Sequence, residues 1–313
     1  MLEGLHVGTQ GFSPRARSDV QLVRFGAEAA RVGLRGTNAE TAFETDVVLA
    51  PRETRRAHLN GHRLASADRL RLELCTLVFT PDRLAVVKGA PATRRAYIDR
   101  SLGRLSPAKA SLPLEYAAAV GQRNAGLRRL RAGSSSPEAL RPWTERVVVL
   151  GIELVAARAE TAATLAGPFA QLAGTLGLDA AELAYDGEAP TIAELDARLE
   201  RDLERGITGA GPHLHDLRLE ADARDLRSFG SQGEQRMAVL ALVLAEAEVL
   251  KSRSAAAPLV LLDDVFSELD GDRRRALAEI VARGGQTVIT ATARAALPIE
   301  PAQAFAVSPG RVR

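Results

Sequence analysis

The 313-residue chain reads as an α/β protein in which a mixed-sheet lobe is interrupted by a helical lobe. Three observations predict this. Residues 1–90 favour strands, and the stretch from Thr93 to about Arg205 is rich in alanine and leucine at helical spacing. Strand-helix alternation returns from Gly206 and includes Leu259-Val260-Leu261-Leu262, an unbroken apolar run of the kind a parallel strand covered on both faces requires.

Taken in order, strands are predicted over Val20 to Val32 and Phe43 to Leu49, followed by a hairpin from Arg55 to Leu64. Asn60-Gly61 marks the hairpin tip, because both residues tolerate the positive φ that tight hairpin turns demand. The apolar run Leu74-Cys75-Thr76-Leu77-Val78-Phe79 holds the one cysteine, which the pattern places as a buried, inert thiol. Loops at Gly133-Ser134-Ser135-Ser136-Pro137 and Asp186-Gly187-Glu188-Ala189-Pro190 break the helical stretch, which has no heptads sustained enough for a coiled-coil arm. Helices follow over Gln235 to Lys251 and Asp272 to Ala282, the second stopped by Gly284-Gly285 before a strand from Thr287 to Thr290. The expected organisation is 1–90 and 206–313 as two parts of one lobe, with 91–205 as the helical lobe between them.

With 46% hydrophobic and 26% charged residues the composition is that of a soluble globular protein, and a net charge of +2 does not by itself argue for nucleic-acid binding. Of 41 basic residues only Lys88, Lys109 and Lys251 are lysines, leaving 38 arginines. That bias reflects either genome composition or a use for bidentate phosphate contacts. No apolar stretch reaches membrane-spanning length, and Met1-Leu2-Glu3-Gly4 lacks the basic start and apolar core of a signal peptide, so a cytoplasmic location is expected.

Two segments carry candidate chemistry. Ser231-Gln232-Gly233-Glu234 fits the S-x-x-E capping box, and the same arrangement of a hydroxyl beside free N–H groups at a helix start also suits a terminal phosphate. Gly233 would let that phosphate approach the main chain. Asp263-Asp264, at the end of the apolar strand, reads either as turn acids or as a metal and water site. In the second reading Asp263 holds Mg²⁺ and Asp264 polarises the attacking water. Ser267-Glu268-Leu269-Asp270 follows, with Asp270 a natural N-cap. Thr290 and Thr292 are either ordinary strand threonines or hydroxyls facing the same phosphate. No G-x-x-x-x-G-K-[ST] loop occurs in the sequence.

Ser231 to Arg236, Leu259 to Asp264 and Ser267 to Asp270 resemble the signature motif, Walker B and D-loop of ATP-binding-cassette heads of the chromosome-maintenance and recombination type. Further matches narrow the resemblance to the RecF family of bacterial DNA replication and repair proteins. These are Leu22-Val23-Arg24-Phe25-Gly26-Ala27-Glu28, Val78-Phe79-Thr80-Pro81-Asp82 and Val87-Lys88-Gly89-Ala90-Pro91, with Arg94, Arg95 and Asp99. Gln122-Arg123-Asn124, Gly211-Pro212-His213 and Phe229-Gly230-Ser231 complete them, in the family's order over essentially the whole chain. The chain departs from the pattern at Gln10-Gly11-Phe12-Ser13-Pro14-Arg15, where an arginine-rich turn is usual. It departs again at Leu214-His215, where a basic and then an acidic residue are usual, and at Ala293-Arg294, which replace an acid. Met1-Leu2-Glu3-Gly4-Leu5 resembles the end of the helix that follows the Walker A loop, so the chain is expected to be an N-terminally truncated form whose sheet lobe is incomplete.

The resemblance implies a P-loop-type ATPase head that binds ATP with Mg²⁺ and forms an ATP-dependent homodimer, with Ser231, Gln232, Gly233 and Glu234 closing over the nucleotide of the opposite protomer. It implies ATP-dependent binding to gapped DNA at single-strand/double-strand junctions, and recombinase loading and the SOS response with RecR- and RecO-like partners. Family members are weak DNA-dependent ATPases; without a Walker A loop this chain alone is expected to be inactive. Arg94, Arg95, Arg123, Arg128 and Arg129, with Arg100 and Arg131 nearby, are the candidate DNA contacts, although arginine runs on helices are commonly solvated faces. Rival readings are a non-hydrolysing DNA- or partner-binding scaffold, and another chromosome-maintenance head, which the missing coiled-coil arm disfavours.

Overall fold

A computed structural model describes the chain except for Arg17, Arg52, Ala255, Glu268, Pro309, Gly310 and Arg313. Helix α1 (Leu2–Gln10) ends at Gly11, whose φ of 77° closes the helix through an N–H bond to the Val7 carbonyl. An antiparallel sheet follows, with strands β1 (Ala30–Asn38), β2 (Thr41–Leu49), β3 (Arg56–Leu59) and β4 (His62–Arg63) in that order. Asn60 (φ 51°) and Gly61 (φ 80°) make the β3–β4 turn as their side chains predict. A short helix α2 (Leu70–Glu73) leads into the first parallel strand, β5 (Thr76–Phe79), buried at every position.

Three helices then fill most of the middle of the chain after the single-turn α3 (Ala85–Lys88): α4 (Pro91–Leu105), α5 (Leu112–Arg131) and α6 (Pro137–Thr175). Strand β6 (Ala181–Asp186) and the short helices α7 (Ile192–Ala197) and α8 (Leu199–Arg205) come next. A strand inside the stretch expected to be helical is a correction: β6 pairs antiparallel with β7 (Asp216–Ala221), which pairs with β8 (Arg224–Asp225). After α9 (Leu226–Phe229) the chain forms α10 (Gln232–Arg253), β9 (Leu259–Asp263), α11 (Gly271–Arg283) and β10 (Thr287–Thr290), then a terminal hairpin of β11 (Val307–Ser308) and β12 (Arg311–Val312).

The strand expected over Val20 to Val32 begins only at Ala30. Residues Asp19–Leu22 form a 3₁₀ turn, and Gly26 at φ 80° makes a turn in which the Ala27 N–H bonds to the Arg24 carbonyl. Val20 and Phe25 are exposed there, and Leu22 packs against the core around Val7, Val47 and Leu49 from the 3₁₀ turn, not from a strand.

The element that positions the site is the parallel sheet in the order β10-β9-β5. Leu2 of α1 packs on one face against Val78 and Leu261, and Val243 and Leu250 of α10 pack on the other against Leu77. Helix α10 is buried along nearly its whole length from Gln235 to Leu250, which explains why it lacks a polar stripe. The end of α6, from Ala162 to Ala173, with Leu176 just beyond it, shares the largest core with α10, β7 and α11. The 39-residue α6 therefore packs on α5 and α10 and is not a projecting arm.

Candidate functional site

Strand β9 delivers Asp263 and Asp264 to the carboxyl end of the parallel sheet. Asp263 is paired in register with Thr290 of β10, whose hydroxyl donates to an Asp263 carboxylate oxygen at 2.8 Å. The same hydroxyl accepts the Asp264 N–H at 3.0 Å, so Thr290 ties both acids to the neighbouring strand. Asp264 sits at φ 48°, a left-handed conformation uncommon for a residue with a side chain. Its carbonyl is held by the Arg236 guanidinium at 2.8 Å and by the Ser267 hydroxyl at 3.0 Å, which fixes that turn. Arg236 also lies over the Phe79 ring at 5.5 Å, linking the first turns of α10 to β5 and β9.

At the start of α10 the Ser231 hydroxyl accepts the Glu234 N–H at 3.2 Å, and the Glu234 carboxylate accepts the Ser231 N–H at 2.7 Å. The capping box predicted from sequence is complete, and the Ser231 backbone and side chain hold the Glu234 carboxyl below its usual range. Ser231, Gln232 and Gly233 are all exposed. A Cβ built on Gly233 would meet nothing closer than the Ser231 hydroxyl at 3.9 Å, so the chain's own packing does not require glycine there. Asp270 caps α11 by accepting the Arg273 N–H at 2.9 Å, and this bond lowers the carboxyl's pKa. Thr292 lies on an exposed bend beyond β10, and Glu268 falls outside the described residues. Asp263, Asp264 and Thr290 are thus brought together, with the Ser231 cap joined to them through Arg236.

Sequence reasoning missed Arg15, whose guanidinium forms an ion pair with Asp263. The partners lie 248 residues apart, and the only signal was an arginine in the turn after α1.

Among the described residues no three acidic, histidine or cysteine side chains gather as a metal site. The donor set of one carboxylate and a hydroxyl suits Mg²⁺ when phosphate oxygens and water complete the shell, since Mg²⁺ commonly takes only one or two protein carboxylates.

The arginines expected to face DNA divide sharply. Arg94 is 3% exposed, paired with both oxygens of Asp216 at 2.7 and 2.6 Å and bonded to the Val87 and Gly89 carbonyls. Arg123 is 1% exposed and donates to Asp202 at 2.8 Å, Thr208 at 2.9 Å and Thr144 at 3.2 Å. Neither guanidinium can reach a phosphate, which corrects their assignment as DNA contacts. Arg95 is half-buried and donates to the His215 carbonyl at 2.8 Å, whereas Arg128 and Arg129 are exposed on α5.

No family model matches the chain. It is 34% identical over 306 residues to the DNA replication and repair protein RecF of Heliobacterium modesticaldum, covering 93% of this chain and 82% of that protein. It is 37% identical over 325 residues to the RecF of Anaeromyxobacter dehalogenans strain 2CP-1, covering 96% and 84% respectively. The fold matches a solved structure of the recombination mediator protein RecF with ATP, at a TM-score of 0.87 and 23% identity, over 100% of this chain and 87% of that one. A Smc head domain from Pyrococcus furiosus matches more distantly, with a TM-score of 0.52 and 18% identity over 95% of this chain and 80% of that one. With 34–37% identity to those relatives over 93–96% of its length, the chain belongs to the RecF family of DNA replication and repair proteins.

Proposed function

We propose that the chain is an ATP-binding head of the RecFOR type, acting at single-strand/double-strand DNA gaps to promote recombinase loading with RecR- and RecO-like partners in the cytoplasm. Asp263 would hold Mg²⁺ with the help of Thr290, Asp264 would polarise the attacking water, and Asp270 and Thr292 would line the same nucleotide. Ser231, Gln232, Gly233 and Glu234 would close over ATP held by the opposite protomer. Residues 91–205 would serve as the helical lobe.

The observation that carries this reading is the start of α10. It is a helix N-terminus with a complete capping box, whose exposed glycine has no internal packing reason, so a group approaching from outside accounts for the missing side chain. The test is to mix the chain with a full-length relative, with and without ATP, and to compare Ser231→Arg. ATP-dependent association lost in the variant supports the reading, and ATP-independent association rules out the shared site.

A second reading has its own observation: the sequence contains no phosphate-loop lysine. Without that grip the chain alone turns over ATP negligibly and acts as a binding scaffold. Magnesium-dependent hydrolysis by the purified chain, abolished in Asp264→Asn, would overturn it.

A further inference from the structure

Arg15 reaches Asp263 from a turn that is built rather than loose. The Ser13 hydroxyl accepts the N–H groups of Arg15 at 3.0 Å and Ala16 at 2.8 Å, and itself donates to Glu3 of α1. One residue earlier, the His6 ring bonds to the Phe12 carbonyl at 2.8 Å, and Arg71 lies 4.4 Å over the Phe12 ring. Gly11 sits so close to Ala67 that a Cβ there would meet it at 2.7 Å. The turn is therefore pinned to α1, to the segment before α2 and to α2 itself, and Arg15 extends from it to Asp263. Its side chain is 53% exposed while that of Asp263 is 9% exposed, so the guanidinium closes a nearly buried carboxylate from the solvent side.

An ion pair at this carboxylate uses the oxygen lone pairs that a divalent cation would use, and Thr290 already takes the other oxygen. We propose that Arg15 is an internal cation for Asp263, a positioning residue that excludes divalent metal from the nucleotide-free head and must leave for the metal to enter. A guanidinium is a permanent charge and binds carboxylate without needing a filled coordination shell. Mg²⁺ bound by one protein carboxylate depends on phosphate oxygens to complete its shell. Metal and nucleotide would thus enter together, and the bare ion would be refused. This inference rests on the reading of Asp263 as the metal residue.

The experiment titrates Mn²⁺ into the nucleotide-free chain and follows the free ion by electron paramagnetic resonance. Arg15→Gln should bind Mn²⁺ roughly tenfold more tightly than wild type, the scale of a partly screened ion pair, and the added Asp263→Asn change should abolish the gain. Matching isotherms for wild type and Arg15→Gln would overturn the proposal. Should Arg15→Gln fold poorly, Asp263→Asn alone provides the check. Loss of its partner should speed modification of Arg15 by phenylglyoxal, read by mass spectrometry, and an unchanged rate counts against the proposal. A fluorescent ATP analogue separates the two ideas: nucleotide binding with no Mn²⁺ difference sinks this inference alone, whereas an Mn²⁺ difference without nucleotide binding keeps it and sinks the ATP reading.

Discussion

The joint between α5, α6 and α8 and the rim formed by β9, β10 and the start of α10 both carry many charged groups, yet they treat charge in opposite ways. In the joint, Arg123 and Asp202 are almost completely buried and paired with each other, with Thr208 further bound to Asn124 at 2.7 Å. On the rim, Ser231 and Asp270 are exposed and, among the described residues, bond to their own helix starts. A buried charge that has found every partner is committed to structure, and an exposed one with polar atoms to spare is available to a ligand. The contrast separates Arg123, held inside the fold, from Ser231 and Asp270 on the rim; Asp263 is itself nearly buried and held by Arg15 and Thr290, and is kept as a candidate for its place at the carboxyl end of β9.

The sharpest way to break this comparison is Arg123→Ala. It leaves Asp202 as a buried charge without its partner, which typically costs about 3–5 kcal/mol. Urea unfolding followed by circular dichroism measures the loss, and a cost under about 1 kcal/mol would show that the joint is solvated and the contrast false.

The second test is pH. His6 is 2% exposed, and burial lowers its pKa to about 4 despite the opposing bond to Phe12. The unfolded chain, with histidine near its ordinary 6.5, then binds more protons than the folded chain between those two values. Stability from this group is complete above pH 6.5 and is lost as pH falls toward 4, by about 3 kcal/mol in all. His213 and His215 shift the same way through burial, so the difference between wild type and His6→Gln isolates His6. Parallel stability profiles for the two proteins from pH 7.5 to 5 would remove His6 as an anchor of the Arg15 turn.

These particulars also mark what the sequence could and could not disclose. The apolar run of β9, the Asn60-Gly61 tip and the cap at Ser231 were legible because each depends on local spacing, and local spacing is what a sequence displays. Strand β6 was not, since Ala181-Glu182-Leu183-Ala184 carries helix-favouring residues and becomes a strand only against β7, with Ala184 paired to Arg218, 34 residues on. The fates of Arg94 and Arg123 turn on Asp216 and Asp202, which are 122 and 79 residues away, and no helical pattern announces such partners. The Arg15–Asp263 pair was hidden for the same reason.

On the rim, a smaller effect sharpens the contrast. Ser231→Ala removes the hydroxyl that caps α10 and should cost about 1 kcal/mol, while Ser231→Gly should cost only a few tenths. Both are measured by chemical unfolding. If Ser231→Ala costs as much as Arg123→Ala, the helix start is a structural keystone, and its exposure is no argument for a ligand.

The smallest expected effect on stability is also the one that reports most directly on DNA. Arg128 and Arg129 are exposed at the end of α5, and Arg128 makes a long 3.4 Å contact to the Gly206 carbonyl. Replacing both with alanine should move stability by no more than about 0.5 kcal/mol, the usual range for surface positions. If these arginines neutralise backbone phosphates, each releases counterions on binding, so the slope of log affinity against log salt should fall by about 0.9 per lost contact on duplex DNA. The loss should be alike on unrelated sequences of equal length, because phosphate contacts carry no base information. Fluorescence anisotropy across a salt series gives both quantities from one set of titrations. An unchanged slope in the double variant would leave α5 as a solvated helix face and move the search for a DNA surface to other exposed arginines, whereas a reduced slope with intact stability is the outcome that a charge held for a ligand produces.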